Sequence, residues 1–299
     1  MSERTKGPIK SIQLFSTGEG GQHDEHRYGS KGPQLWWVLT SKSWNKVPIA
    51  VFVIEHKDGL ILFDTGLDPA IATDPGYINK AIGRFLLKRI FRLKIGPEDA
   101  LDKKLEALGY RPSDVKKAII SHLHFDHVGG IKHIPEAELL VSRREWDQLS
   151  GPHPDHEWML KEHIKIPGAK WRQIEFAPTD DPLFADFEGI YDVMGDGSLV
   201  LLPTPGHTKG SLSCLVRSKG MPPVLLVADL TYAEELLMED RVPGTGYADQ
   251  LRASFAKVRA LKEKLPEMMI VPSHDPEAVE ALKALGLVER DAAPVLLRA

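Results

Sequence analysis

The segment AIISHLHFDHVGG, residues 118–130, runs an apolar stretch into three histidines and an aspartate within six positions. A strand that ends on so many lone-pair donors must deliver them to solvent or to a shared partner. Buried imidazole and carboxylate groups persist only when they are paired or bound to a metal. Alternate residues of an extended segment share a face, so His122 and His124 can converge on one ion. Asp126 and His127 fall in the turn toward Gly129 and Gly130 and can face a second ion. The same habit recurs along the chain: apolar runs precede Asp64 in LILFDTG, Asp229 in LLVADLTY and His274 in IVPSHD, while TPGHTKGS offers His207. Polar groups at strand ends sit where loops converge into sites. A fold for this chain therefore has to bring distant strand ends together.

Composition narrows the chemistry. With 299 residues, 42% of them hydrophobic, the chain can bury a sizeable core. No linker divides it, so one domain over residues 1–299 is expected, with a helical insertion near 69–109. The formal net charge is -4, which removes the cationic field that draws proteins to nucleic acid and favours a small-molecule partner. Cys214 is the one cysteine in the chain. A disulfide framework and a thiolate metal cluster are thereby excluded, and a reducing, cytoplasmic compartment is the expectation. No window reaches the roughly 20 apolar residues of a membrane span. Imidazole and carboxylate ligands suit zinc, and also cobalt, iron or manganese. No protein nucleophile stands out, since SWNK (43–46) lacks the partner motifs of a Ser-x-x-Lys enzyme.

The elements alternate. IKSIQLFSTG reads as a strand, followed by a polar, Gly-rich surface loop, GEGGQHDEHRYGSKGP. VPIAVFVIEHKDGLILFDTGL reads as a hairpin about Asp58-Gly59. Residues 97–109 carry Leu101, Leu105 and Leu108 at helical spacing, and KKAIIS then reads as the strand before His122. GSLVLLPTPGH, SLSCLVRS, PVLLVAD and EMMIVPSH read as strands, with helices near 231–238, 247–264 and 276–285. Such a mixture predicts a mixed sheet system covered by helices. The likeness of LILFDTG and LLVADLT hints at two similar halves. In residues 79–96, Lys80, Arg84, Lys88 and Arg92 form a cationic stripe opposite Ile82, Phe85, Leu86, Ile90 and Leu93. That apolar face suits packing, an acyl-chain wall, a homodimer contact or a membrane surface. Trp36 and Trp37 read as strand residues and, with Trp44, as candidates for pocket lining. His23, His26, His153, His156 and His163 read as solvated loop histidines, and His56 and His133 have no evident partner.

With these residues assembled, the sequence resembles the metallo-β-lactamase superfamily: HLHFDH supplies its His-x-His-x-Asp-His signature, followed by His207, Asp229 and His274. The resemblance spans about residues 48 to 275 and implies an αββα sandwich. It implies one metal ion held by His122, His124 and His207, another by Asp126, His127 and His274, and Asp229 bridging both. Asp64 matches the family aspartate that orients a ligand imidazole by accepting its other N–H. Within the superfamily the chain is most similar to the N-acyl homoserine lactone hydrolases, the quorum-quenching lactonases. The features are Tyr232, three positions beyond Asp229, the His207-to-Asp229 interval and the PSHD ending. The implied cofactors are two divalent ions, zinc first, and the implied reaction is hydrolytic opening of an acyl lactone. Tyr232 would donate to the carbonyl oxygen as it gains charge, and Asp126 would pass a proton to the leaving alkoxide. A different lactone, a thioester or a phosphotriester remains open on the metal motif alone. An RNase Z-like nuclease is disfavoured by the acidic charge balance.

Overall fold

The computed structural model describes residues 7–78, 81–278 and 282. β1 (Ile9–Gln22), β2 (Asn45–His56), β3 (Gly59–Phe63), β4 (Val115–Ile119), β5 (Glu138–Ser142) and β6 (Lys170–Ile174) form a six-stranded sheet in that order. β7 (Tyr191–Asp192), β8 (Leu199–Pro203), β9 (Leu212–Val216), β10 (Val224–Ala228) and β11 (Met269–Pro272) form a second sheet in reverse order, β11-β10-β9-β8-β7.

The period of two along each strand sorts residues into layers. Phe52, Ile54, Ile61 and Phe63 of the first sheet meet Leu201, Cys214, Val216 and Leu226 of the second in the central core. The alternate residues Val51, Val53, Leu60 and Leu62 face outward onto Leu101 and Leu105 of the helix Leu101–Ala107. On the far side, Val200, Leu202, Leu215 and Leu225 pack on Leu251, Phe255, Val258 and Leu261 of the helix Ala248–Lys264. Strands buried on both faces explain why their sequences read as continuous apolar runs rather than as alternation. The result is the expected αββα sandwich.

Pairing direction then positions the site. β3 and β4 are parallel, as are β10 and β11, while β2–β3 and β9–β10 are antiparallel. A parallel pair delivers both C-terminal ends to the same edge, so Asp64 joins the His122 segment and Asp229 joins His274. The likeness of LILFDTG to LLVADLT thus corresponds to matching positions, since β3 and β10 each enter from an antiparallel neighbour and leave beside a parallel one.

Several expectations are corrected. Of the Gly-rich stretch only residues 30–33 form the expected exposed loop: β1 continues through Gly18, Gly20 and Gly21 to Gln22, paired to β2 as far as Gln22 opposite Asn45, and Asp24–Tyr28 forms a short helix with His23 and His26 buried at its start and on its inner face. Backbone pairing needs no side chain, and at Gly21 a Cβ would come within 3.0 Å of the Arg92 side chain and 3.1 Å of the Trp44 ring. Trp36 and Trp37 lie in the helix Gln34–Thr40, which buries Trp37 and exposes Trp36. The amphipathic segment forms the helix Ala81–Ile90, which buries Leu87 and Ile90 but leaves Phe85 exposed among Arg84 and Lys88. Arg92 lies beyond that helix, with its guanidinium 4.1 Å from the Trp44 ring centroid. Lys80, the Ile82 side chain and most of the helix expected at 276–285 lie outside the described residues. His56 is paired with Asp196 at 3.2 Å and His133 with Asp102 at 3.1 Å. His163 stacks on Tyr77 at 3.8 Å, whereas His153 is exposed as expected and the His156 side chain lies outside the described residues.

Candidate metal centre

Asp64 follows β3 at a φ of 62°, a left-handed conformation that aspartate tolerates better than most residues. This turn aims its carboxylate back under the His122–His127 segment. Oδ1 accepts the Ser121 backbone N–H at 2.8 Å, and Oδ2 accepts the Ser121 hydroxyl and the His127 Nδ1–H, each at 2.8 Å. Because Ser121 gives its proton to Asp64, its oxygen accepts Nδ1–H of His122 at 3.0 Å. His274 Nδ1–H donates to the Pro48 carbonyl at 2.8 Å. The outer nitrogens of these imidazoles are thereby protonated, and their Nε2 lone pairs face inward.

Inside, His122 Nε2 and His207 Nε2 lie 3.0 and 3.1 Å from His124 Nδ1. On the other side, His127 Nε2 and His274 Nε2 each lie 3.2 Å from Asp229 Oδ1, and His274 Nε2 lies 3.5 Å from Asp126 Oδ2. The second oxygen of Asp229 lies 3.4 Å from His207 Nε2. Two candidate ligand clusters result, His122 with His124 and His207, and Asp126 with His127 and His274, and a third group of His122, His127 and Asp229 overlaps both. Asp229 stands between them with one oxygen toward each. Among the described residues, His127 Nε2, His274 Nε2 and Asp229 Oδ1 are buried without a hydrogen-bond partner. Convergent imidazole nitrogens and carboxylate oxygens of this kind fit divalent cations.

Electrostatics separates the two clusters. Burial, with neighbouring histidines, holds His122 well below the usual histidine range, and burial brings His124 and His207 down to about 3. All three are neutral and available as ligands. For His127 and His274, burial opposes the charged form, but Asp64, Asp229 and Asp126 outweigh it for the first and Asp229 and Asp126 for the second. Both are raised. Burial likewise opposes ionisation of Asp229, and His274, His127 and His207 overcome it, holding the carboxyl well below its ordinary value. The second cluster thus draws in positive charge.

Local packing holds this geometry. Gly129 and Gly130 are needed for close approach rather than for a special turn. At Gly129 a Cβ would lie 2.3 Å from the Asp68 nitrogen, and at Gly130 2.4 Å from the Thr65 oxygen. The Asp64–Asp68 loop and the His127–Gly130 segment are joined further by Thr65 N–H to His127 C=O and Gly129 N–H to Gly66 C=O, both at 2.8 Å. Asp64→Asn is expected to weaken metal binding by about 10- to 100-fold, because an amide N–H then faces a group that must itself donate. Competition against a chromogenic chelator measures this, and unchanged affinity would contradict the orienting role.

Sequence reasoning missed two residues beside this centre. Glu145 is fully buried and accepts the Leu123 N–H at 2.9 Å, the Thr208 hydroxyl at 2.7 Å and the Gly210 N–H at 3.1 Å. It ties the His122–His124 segment to the His207 loop, and burial pushes its carboxyl up to about 7. Nothing in SRREWDQL marks it in advance. His26 is buried rather than solvated, with Nε2 at 2.9 Å from the hydroxyl of fully buried Tyr232. The Tyr232 ring lies 6.0 Å from that of His274. A cleft of about 280 Å³ opens onto the ligands and is lined by His26, Ile90, Phe91, Trp158 and Tyr247 among others. Trp158 takes the lining place expected of Trp36, Trp37 or Trp44, none of which lines the cleft among the described residues.

Comparison with known proteins agrees with this geometry. The metallo-beta-lactamase superfamily model matches residues 44–274. The chain is 32% identical over 241 residues to the N-acyl homoserine lactonase AttM of Agrobacterium fabrum strain C58, covering 78% of this chain and 84% of that protein. It is 32% identical over 242 residues to the N-acyl homoserine lactonase of Bacillus thuringiensis, covering 80% and 86%. A solved N-acyl homoserine lactone hydrolase with N-hexanoyl-L-homoserine bound at its catalytic metal center superposes with a TM-score of 0.72 at 25% identity, covering 92% of this chain and 96% of that one. With its ligand clusters at the strand ends and the family model matched from β2's neighbourhood to His274, the chain belongs to the metallo-beta-lactamase superfamily.

Proposed function

We propose that this protein is a metal-dependent hydrolase that opens the lactone ring of N-acyl homoserine lactones, the compounds for which its relatives are named. In this reading His122, His124 and His207 hold one divalent ion, Asp126, His127 and His274 hold another, and Asp229 serves both. Zinc suits the donors best. The observation that carries the reading is Asp229, whose two oxygens face the two clusters, with Tyr232 three residues further on. Ions bound there supply a hydroxide nucleophile near neutral pH and polarise an ester carbonyl.

The chain's own residues do the rest. Neutral His122, His124 and His207 present lone pairs without first losing protons. Asp126 lines the cleft and can carry a proton to the alkoxide as the ring opens. Tyr232 supplies an O–H for the carbonyl oxygen as negative charge gathers there. Ile90, Phe91 and Trp158 give the cleft an apolar wall suited to an acyl chain. The test is a panel of acyl homoserine lactones, simple γ-lactones, a thioester and a phosphotriester offered to the metal-loaded protein, following acid release. Acyl homoserine lactones are expected to give the highest kcat/KM. A larger value for the thioester or the phosphotriester would replace this substrate assignment.

A further inference from the structure

The His26 ring packs against Trp37, Phe91 and Tyr232 at centroid separations of 6.0, 5.6 and 5.4 Å. Its Nε2 meets the Tyr232 hydroxyl at 2.9 Å, while its Nδ1 is buried with no hydrogen-bond partner among the described residues. Burial, and next the neighbouring His207, hold the ring's pKa down at about 3, so it carries a single proton on one of two nitrogens. If that proton sits on Nδ1, a buried N–H is left unpaired and Tyr232 must give its own proton to Nε2. If it sits on Nε2, His26 donates to the tyrosine oxygen, the unpaired atom is an acceptor, and the phenol proton turns toward Asp229 and Thr245, which lie beside that hydroxyl and line the cleft. An orphaned buried N–H is the rarer defect in folded proteins, which favours the second arrangement.

We infer that His26 is a positioning residue, whose Nε2–H fixes the Tyr232 hydroxyl and turns the phenol proton toward the Asp229 side of the cleft, where a substrate carbonyl can take it. The inference rests on the role given to Tyr232 above. It also accounts for a histidine at the cleft wall that ligates nothing: the phenol is fully buried, and His26 lines the cleft beside it.

Two measurements test this on the metal-loaded full chain. The first is a cycle of His26→Phe, which keeps a packed ring but no donor, His26→Gln, which keeps an N–H, Tyr232→Phe, and His26→Phe combined with Tyr232→Phe. Steady-state kinetics on an acyl homoserine lactone are recorded alongside metal content and Tm. His26→Phe is expected to lower kcat by about tenfold with little change in KM, as for loss of one buried hydrogen bond. His26→Gln should recover most of that loss, and the double variant should be no slower than Tyr232→Phe alone. Multiplying losses in the double variant, or a wild-type rate in His26→Phe, overturns the inference while leaving the tyrosine role intact. A wild-type rate in Tyr232→Phe overturns the tyrosine role itself, and this inference with it. Should His26→Phe fail to fold, His26→Gln decides: a rate as low as that of Tyr232→Phe overturns the proposal. The second measurement is the ¹⁵N shift pair of His26, expected to report a protonated Nε2 and a bare Nδ1. The opposite tautomer overturns the assignment independently of activity.

Discussion

Asp229→Asn is expected to lower kcat/KM toward an acyl homoserine lactone by about a thousandfold or more, a barrier change of roughly 4 kcal/mol. The reason is that Asp229 is the group shared by both clusters, with Oδ1 at 3.2 Å from His127 and His274 and Oδ2 at 3.4 Å from His207. An amide can present oxygen to only one side and must turn an N–H toward the other, where the facing atoms are ligands. It also removes the negative charge that helps raise His127 and His274, so the second cluster loses its pull on a cation. Turnover and metal content measured on the same preparation check this. Two bound equivalents together with turnover within tenfold of wild type would sink the shared role of Asp229.

Removing metal is the second large effect. Exhaustive chelation is expected to abolish turnover and to lower Tm by about 10 °C, since a ligand held at about a thousand times its Kd adds roughly 4 kcal/mol to a native state. The loss should depend on pH with a definite sign. His127 and His274 have folded pKa values raised above the ordinary histidine value of 6.5, so without metal each contributes stability that is fully present below that value. That contribution is lost as pH rises through the folded pKa. Metal binding runs the other way, because ions compete with protons for the same nitrogens and bind better as pH rises. The Tm gap between loaded and stripped protein should therefore widen from pH 6 to pH 8. Scanning calorimetry across that range measures it, and a gap that narrows would contradict the assignment of the second cluster.

The strands β2, β3, β4, β8, β9, β10 and β11 were legible because β-branched and aliphatic runs of strand length carry their own propensity. The candidate metal donors were legible because ligand chemistry belongs to residue types, and because His122, His124, Asp126 and His127 are close in the chain as well as in space. The glycine-rich part of β1 was illegible for the converse reason. Its residues favour loops, and it is tertiary pairing, with β2 on one side and with Arg92 and Lys94 on the other, that draws their backbone into the sheet. Trp36 and Trp37 misled in the same way, since aromatic residues favour strands while packing against the helix Ala81–Ile90 decides in favour of a helix.

By itself, then, the order of residues pointed to the candidate donor set and to the strands that end on polar groups, both of which follow from local composition and short-range periodicity. Only the tertiary structure decided that the two oxygens of Asp229 lie toward two clusters, that Glu145 joins the His122–His124 segment to the His207 loop, and that His26 is buried against a tyrosine 206 residues away. Burial and hydrogen-bond partnership arise from parallel strand pairing and the stacking of two sheets, which join distant segments whose relation no local pattern records.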